Sequence, residues 1–130
     1  MYVVDLEGRE LEWKARGKNY LFNKKTSRLH SMTRTILSEK YPTLTILEEV
    51  SVPIKKNKAL YLDFYLPLIR LAVEVQGEQH FAFNPHFHQT KAQFIKQRKN
   101  DREKAEWCEL NNINLIELRY DEEEKWKDKI

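Results

Sequence analysis

Apolar residues recur along this chain with two periods. Over 27–40 the spacing is helical: Leu29, Met32, Ile36 and Leu37 share one face, Thr26 or Ser27 suits the N-cap, and Pro42 ends the run. A second helix is predicted over roughly 88–111, where Phe94, Arg98, Asp101, Ala105 and Cys108 recur every three to four residues, so Asp101 should lie near the packed face. Asn111-Asn112 is a reasonable stop for it. Between these helices the period shortens to two. LTILEEVSVP (44–53), LYLDFYLP (60–67) and LIRLAVEVQG (68–77) read as strands, and INLIELRY (113–120) as a last one. YVVDLEGRELEW alternates around Glu7-Gly8, which suggests a small hairpin or extended arm, and the basic stretch 14–25 reads as a loop or arm. The charged residues after 120 suggest a short helix. The order helix, three strands, helix, strand predicts one α/β domain with a mixed central sheet flanked by helices. Within it, 1–25 would be the arm, 26–120 the core and 121–130 a charged tail.

The period of two has a consequence inside 60–77. Leu60, Leu62, Phe64 and Leu66 should point one way, and Tyr61, Asp63 and Tyr65 the other. If Leu66 pairs with Leu71, then Phe64 faces Val73, Leu62 faces Val75, and Asp63 faces Glu74 directly. Like charges facing across strands repel. A sheet that sets two carboxylates opposite each other therefore invites a cation, and Mg²⁺ suits one or two carboxylates with water and phosphate completing its shell. The same residues also read as half-exposed strand positions balanced by nearby lysines and arginines.

Composition narrows the class. In 130 residues, 41% hydrophobic and 33% charged, there is material for one core. No run approaches the ~20 apolar residues of a membrane span, and MYVVDLEGRE lacks a secretory pattern, so a soluble, cytoplasmic protein without a membrane partner is expected. One cysteine, Cys108, excludes an internal disulfide framework, and it has no evident thiolate-stabilising partner. Three glycines leave no phosphate-cradling loop. Net charge is only +3, but its distribution is uneven. Lys14, Arg16, Lys18, Lys24, Lys25, Arg28 and Arg34 fall in an acid-free stretch, and Lys96, Arg98, Lys99 and Arg102 cluster on the second helix. Such surfaces attract polynucleotide phosphates, DNA first and RNA as the other candidate.

Asp63-x10-Glu74-x-Gln76 resembles the D-(x)n-(D/E)-x-K signature of the PD-(D/E)XK nuclease superfamily. More narrowly, Leu62-Asp63-Phe64, then Ala72-Val73-Glu74-Val75-Gln76-Gly77-Glu78-Gln79-His80-Phe81, then Asp101-Arg102-x-Lys104 is similar to its very-short-patch-repair branch, which includes phage-borne and homing endonucleases. The resemblance covers about residues 27–118. It implies a restriction-endonuclease-like fold and a Mg²⁺- or Mn²⁺-dependent endonuclease acting on DNA, of phage or mobile-element association. Asp63 and Glu74 would be its metal ligands, with the Val75 carbonyl beside them. Gln76 stands where many members have lysine; it can orient water or phosphate but carries no charge, so Lys104 or His80 would supply the cation. His80 would act as general base or hold the scissile phosphate, and Asp101 would orient His80 or Lys104. Gln79 adjoins this set. On the first helix relatives often carry Glu or Gln where this chain has His30, and Glu48 or Glu49 on the next strand would be substitutes, Glu49 being the one chosen.

Other aromatic and histidine positions read more plainly. His86 and His88 beside Phe87 suit loop packing or a phosphate contact, Phe81, Phe83 and Phe87 suit a core cap ahead of stacking on bases, and Trp107 suits the core. The missing lysine also motivates an alternative, a non-catalytic nucleic-acid-binding module on the same fold. A protein-interaction domain with charged arms is a third reading. A domain this short leaves little room for a specificity module, so dimerisation or a partner protein would supply specificity.

Overall fold

A computed structural model describes residues 1–17, 27–85, 88 and 90–130. Lys18, Lys24, Lys25, Thr26, His86 and Phe87 lie outside the described residues. The chain is a mixed α/β domain. Its N-terminal hairpin pairs β1 (Tyr2–Val4) with β2 (Glu10–Glu12), and Gly8 takes φ +83° in the turn, a left-handed position that suits glycine. Helix α1 (Arg28–Lys40) starts at Ser27, whose hydroxyl accepts the His30 N–H.

The main sheet has four strands in the order β3 (Leu47–Lys55), β4 (Lys58–Leu66), β5 (Leu71–Gln76) and β6 (Asn114–Arg119). The first three form an antiparallel meander, and β6 runs parallel to β5 after the long helix α2 (Lys91–Leu110). A short helix α3 (Trp126–Lys129) follows. Thr90 caps α2 by accepting the Gln93 N–H, and Asn111 ends it, with Asn112 at φ +56°. Strand β3 begins three residues later than the apolar run suggested and continues through Pro53; it is an edge strand, where a missing N–H is tolerated. Likewise β5 begins only at Leu71, because Pro67–Ile69 form a 3₁₀ turn that Arg70 closes at φ +51°.

Alternation along the strands divides the core in two. On one side Phe64, Leu66, Leu71, Val73 and Leu118 pack with Ile36 and Leu37 of α1 and with Trp126 and Ile130. On the other, Tyr65 and Ala72 pack with Trp107 and Cys108 of α2 and with Val3 and Trp13 from the N-terminal hairpin region. Neither the hairpin nor the charged tail is therefore an appendage. Trp126 is fully buried and its indole N–H donates to the Arg119 carbonyl, so the short helix predicted after 120 forms and carries core residues. Among the described residues no helix is long and apolar enough to cross a membrane.

Candidate functional site

The register anticipated for β4 and β5 forms where it is hydrophobic, with Leu66 opposite Leu71, Tyr65 opposite Ala72 and Phe64 opposite Val73. There the ladder stops. Beyond Phe64 the outer half of β4 pairs only with β3, and Glu74–Gln76 pair with β6. The expected Leu62–Val75 and Asp63–Glu74 ladder pairs are absent, and Leu62 packs on the α2 side instead of beside Phe64. Two local features account for this correction. The Asp63 carboxylate accepts the Val75 N–H at 2.8 Å, a donor that a continued ladder would turn toward backbone. On β3, Glu49 adopts φ +50° at the one position in this stretch that the ladder skips, between the Glu48–Phe64 and Val50–Leu62 pairs. A non-glycine residue in that conformation costs of order 1–2 kcal/mol, and it re-aims the strand so that the face alternation resets at Asp63. The sheet thus forks, with Asp63 at the apex.

The fork opens into a cleft of about 540 Å³ lined by Asp63, Glu74, Val75, Gln79, His80 and Lys104, with His30 and Arg28 on its α1 wall and Tyr120 and Glu123 beside them. Glu74 is buried at 5% exposure. Burial first, and then the charge of Asp63, push its carboxyl well above the usual range, against the pull of Lys104. Lys104 Nζ stands 3.0 Å from Glu74 Oε1, 3.9 Å from Asp101 Oδ1, and donates to the Tyr61 carbonyl at 3.3 Å. Burial disfavours the Lys104 charge, but Glu74, Asp63 and Asp101 together outweigh it and hold the ammonium above its ordinary value. Asp101 Oδ2 lies 2.8 Å from His80 Nδ1.

Two placements differ from the sequence reading. Gln76 is buried and lines a neighbouring hollow with Asp101, Arg98 and Arg102, away from the lining of the main cleft. Gly77 has φ −73°, open to any residue, so the turn does not require glycine; a Cβ there would meet the flexible end of the Gln79 side chain at 2.5 Å. On the opposite wall it is Glu48 that meets α1. It accepts hydrogen bonds from Arg34 Nε and Nη2, both at 2.8 Å, and lies 2.7 Å from His30 Nε2, while the His30 ring stacks on Phe64. Glu49 sits at the strained position beside it and does not line the cleft.

The buried Glu74 Oε1 has the Lys104 ammonium 3.0 Å away, and a second carboxylate shares its cleft. This donor set fits a hard divalent cation held by two carboxylates, a main-chain oxygen and water. Among the described residues no three His, Cys, Asp or Glu side chains converge as a fuller ligand group.

Of the proposed phosphate-binding residues, Lys14, Arg16, Lys96, Arg98, Lys99 and Arg102 are exposed. Arg28 is engaged with the Glu123 carboxylate across the cleft mouth. Cys108 is fully buried, and burial pushes its thiol up to about 12, which agrees with the absence of a thiolate role. Sequence reasoning missed Gln97, whose amide nitrogen lies 3.5 Å from His80 Nε2, and the place of Tyr120 and Glu123 in the cleft lining. The signal for Gln97 was present, since Gln97, Asp101 and Lys104 recur at i, i+4 and i+7.

Three viral proteins resemble part of the chain. It is 44% identical over 64 residues to "Uncharacterized protein 307L" of Invertebrate iridescent virus 6, covering 49% of this chain and 32% of that protein. It is 41% identical over 68 residues to "Uncharacterized protein 033L" of Invertebrate iridescent virus 3, covering 52% and 34%. With "Uncharacterized protein 094L" of Frog virus 3 the identity is 38% over 65 residues, covering 49% and 42%. The aligned part spans a third to two-fifths of the length of these relatives. No family model matches the chain. No solved structure matches it.

Proposed function

We propose that this domain is a divalent-metal-dependent endonuclease of restriction-endonuclease-like fold that hydrolyses phosphodiester bonds in DNA and serves a virus or other mobile genome. The observation that carries this reading is the fork itself, which brings Asp63, Glu74, His80 and Lys104 from separate elements into one cleft. A strained backbone and a broken ladder at one point are costs that functional sites commonly bear. Bound between Asp63 and Glu74, Mg²⁺ or Mn²⁺ would activate water and neutralise phosphoryl charge.

The chain's own residues do the rest. Asp63, fixed by the Val75 N–H, lines the cleft. Lys104 supplies the positive charge that glutamine at 76 does not, and it holds Glu74 in place. His80, oriented by Asp101, offers a ring nitrogen to a water or phosphate. The exposed cations of α2 and of 14–16 would draw the polynucleotide backbone toward the cleft.

The test is cleavage of supercoiled and linear DNA by purified protein in Mg²⁺ or Mn²⁺, compared with Asp63→Asn, which keeps an acceptor for Val75 but loses the charge. Metal-dependent nicking by the wild type and its loss in the variant are expected. Salt-sensitive binding with no turnover in either metal would instead favour a non-catalytic nucleic-acid-binding module, the reading that the glutamine at position 76 motivates.

A further inference from the structure

His80 is the inner end of a hydrogen-bonded line that runs out of the cleft and through α2. Its Nδ1 meets Asp101 Oδ2 at 2.8 Å, and its Nε2 lies 3.5 Å from Gln97 Nε2. Gln97 Oε1 is bonded to Nε2 of His88. His88 Nδ1 in turn accepts the backbone N–H of Asn84 at 3.1 Å. The His88 ring is 4% exposed and wedged between Phe83 and Phe94, with centroids at 6.0 and 5.3 Å, so it has little freedom to turn.

The groups at the two ends of this line have no choice of role: the Asn84 N–H donates to His88, and the Asp101 carboxylate accepts from His80. A backbone N–H only donates. His88 Nδ1 must therefore accept, which leaves the proton of a neutral His88 ring on Nε2. That proton faces Gln97, so the oxygen of the amide must be the atom turned toward it. The NH₂ end of Gln97 then faces His80, where Nε2 must be the acceptor, and the His80 proton is placed on Nδ1, toward Asp101. Each link fixes the next.

We infer that Gln97 and His88 are positioning residues that set the tautomer of His80, keeping the hydrogen on Nδ1 and the lone pair on Nε2. The tautomer assignment stands on hydrogen-bond geometry alone; its catalytic use, with Nε2 as the atom that takes a proton from water, rests on the nuclease reading above. The Gln97 approach is long, so a water bound in the cleft can replace it at Nε2. Asp101 orients the ring from the other side, and its Oδ1 faces Lys104, which links the line to Glu74.

The test uses ¹⁵N-histidine-labelled full chain and long-range ¹H–¹⁵N spectra recorded where the imidazoles are neutral. His80 is expected to show a protonated Nδ1 and a pyridine-type Nε2, and His88 the reverse pattern. A His80 with its hydrogen on Nε2, or a His88 with its hydrogen on Nδ1, overturns the inference. Gln97→Glu replaces the amide by a group of equal size that only accepts. It should move the His80 Nε2 resonance to the protonated type while circular dichroism stays unchanged; an unmoved resonance overturns the role given to Gln97. In the metal-dependent cleavage assay the same variant should lower kcat about 10²-fold, the lower end of general-base contributions, with KM unchanged. A normal kcat in a variant whose resonance has moved overturns the positioning role. If wild-type protein cleaves nothing, the nuclease reading fails while the spectra still decide the tautomer.

Discussion

Glu48 and Glu74 lie on strands of the same sheet, and each is 5% exposed. On β3, burial alone would raise the Glu48 carboxyl, but hydrogen bonds from Arg34 and His30 and their charge reverse this and hold it below its usual value. On β5, burial and the Asp63 charge raise Glu74, and the single ion pair with Lys104 does not compensate. Equal exposure therefore gives opposite outcomes, because Glu74 is packed more deeply beside a second carboxylate while Glu48 receives more donors from its neighbouring helix. Helix α1 satisfies its carboxylate fully. Helix α2 offers Glu74 a single ammonium, from Lys104, beside a second carboxylate.

The contrast can be broken in order of size. Removing the charge at the fork should have the largest effect: Asp63→Asn is expected to reduce metal-dependent cleavage about 10³-fold or more, because a bound metal contributes several kcal/mol at the transition state, with the urea midpoint little changed. Glu48→Gln should act the other way round. It should lose about 1.5–3 kcal/mol of stability, the usual range for hydrogen bonds to charged groups, read from the urea midpoint at neutral pH.

The pH dependence of that loss follows from the sign of the shift. A carboxyl lowered in the folded state binds fewer protons there than in the unfolded chain, so it stabilises above the unfolded carboxylate value. The difference between wild type and Glu48→Gln should be full at neutral pH and shrink as pH falls through the carboxylate range. A difference that grew in acid would contradict the pairing with Arg34.

Glu74→Gln tests the other carboxylate with a smaller stability effect. In chelator-treated protein its melting temperature should match or exceed that of the wild type, since a poorly matched buried charge is removed. Wild type alone should gain stability on adding Mn²⁺, by about 2.7 kcal/mol at a hundredfold excess over Kd. Smallest is the effect of two exposed cations of α2. Lys99→Ala with Arg102→Ala should leave cleavage at low salt nearly intact and reduce the salt slope of DNA binding by about 2, about one unit for each phosphate that is no longer neutralised.

Much of the frame was readable from residue order. Ser27 and Asn111 marked helix ends, and the parity of Phe64, Leu66, Leu71 and Val73 set the inner register of β4 and β5. The fork was not readable, because period-two alternation assumes a continuous ladder, and Asp63 ends it by taking the Val75 N–H with its side chain. The left-handed Glu49 is equally silent in sequence, since nothing in Glu48-Glu49 announces which carboxylate turns toward α1. Trp126 and Ile130 were hidden for another reason: two apolar residues among eight charged ones look like a solvated tail until the face they cover is known. The candidate site was legible as residue types in order. Its divided hollows, with Gln76 in one and Glu74 in the other, depend on the twist at the fork.

Asn111 has a consequence for how the molecule forms. Its side-chain oxygen accepts the Val4 N–H at 2.8 Å, and its NH₂ donates to the carbonyls of Val4 and Trp107, both at 2.9 Å. The amide thus serves β1 as a one-residue strand, across a sequence separation of 107. Closing so wide a loop is entropically costly, and pairings of that span slow folding. The hairpin region also docks on β3, where the Leu6 N–H donates to the Ile54 carbonyl and the Trp13 indole N–H to the Ser51 carbonyl, so only its clasp by Asn111 requires α2 to have formed and ended there. The first strand written in the chain is thus fastened, in part, by the end of a helix more than a hundred residues away.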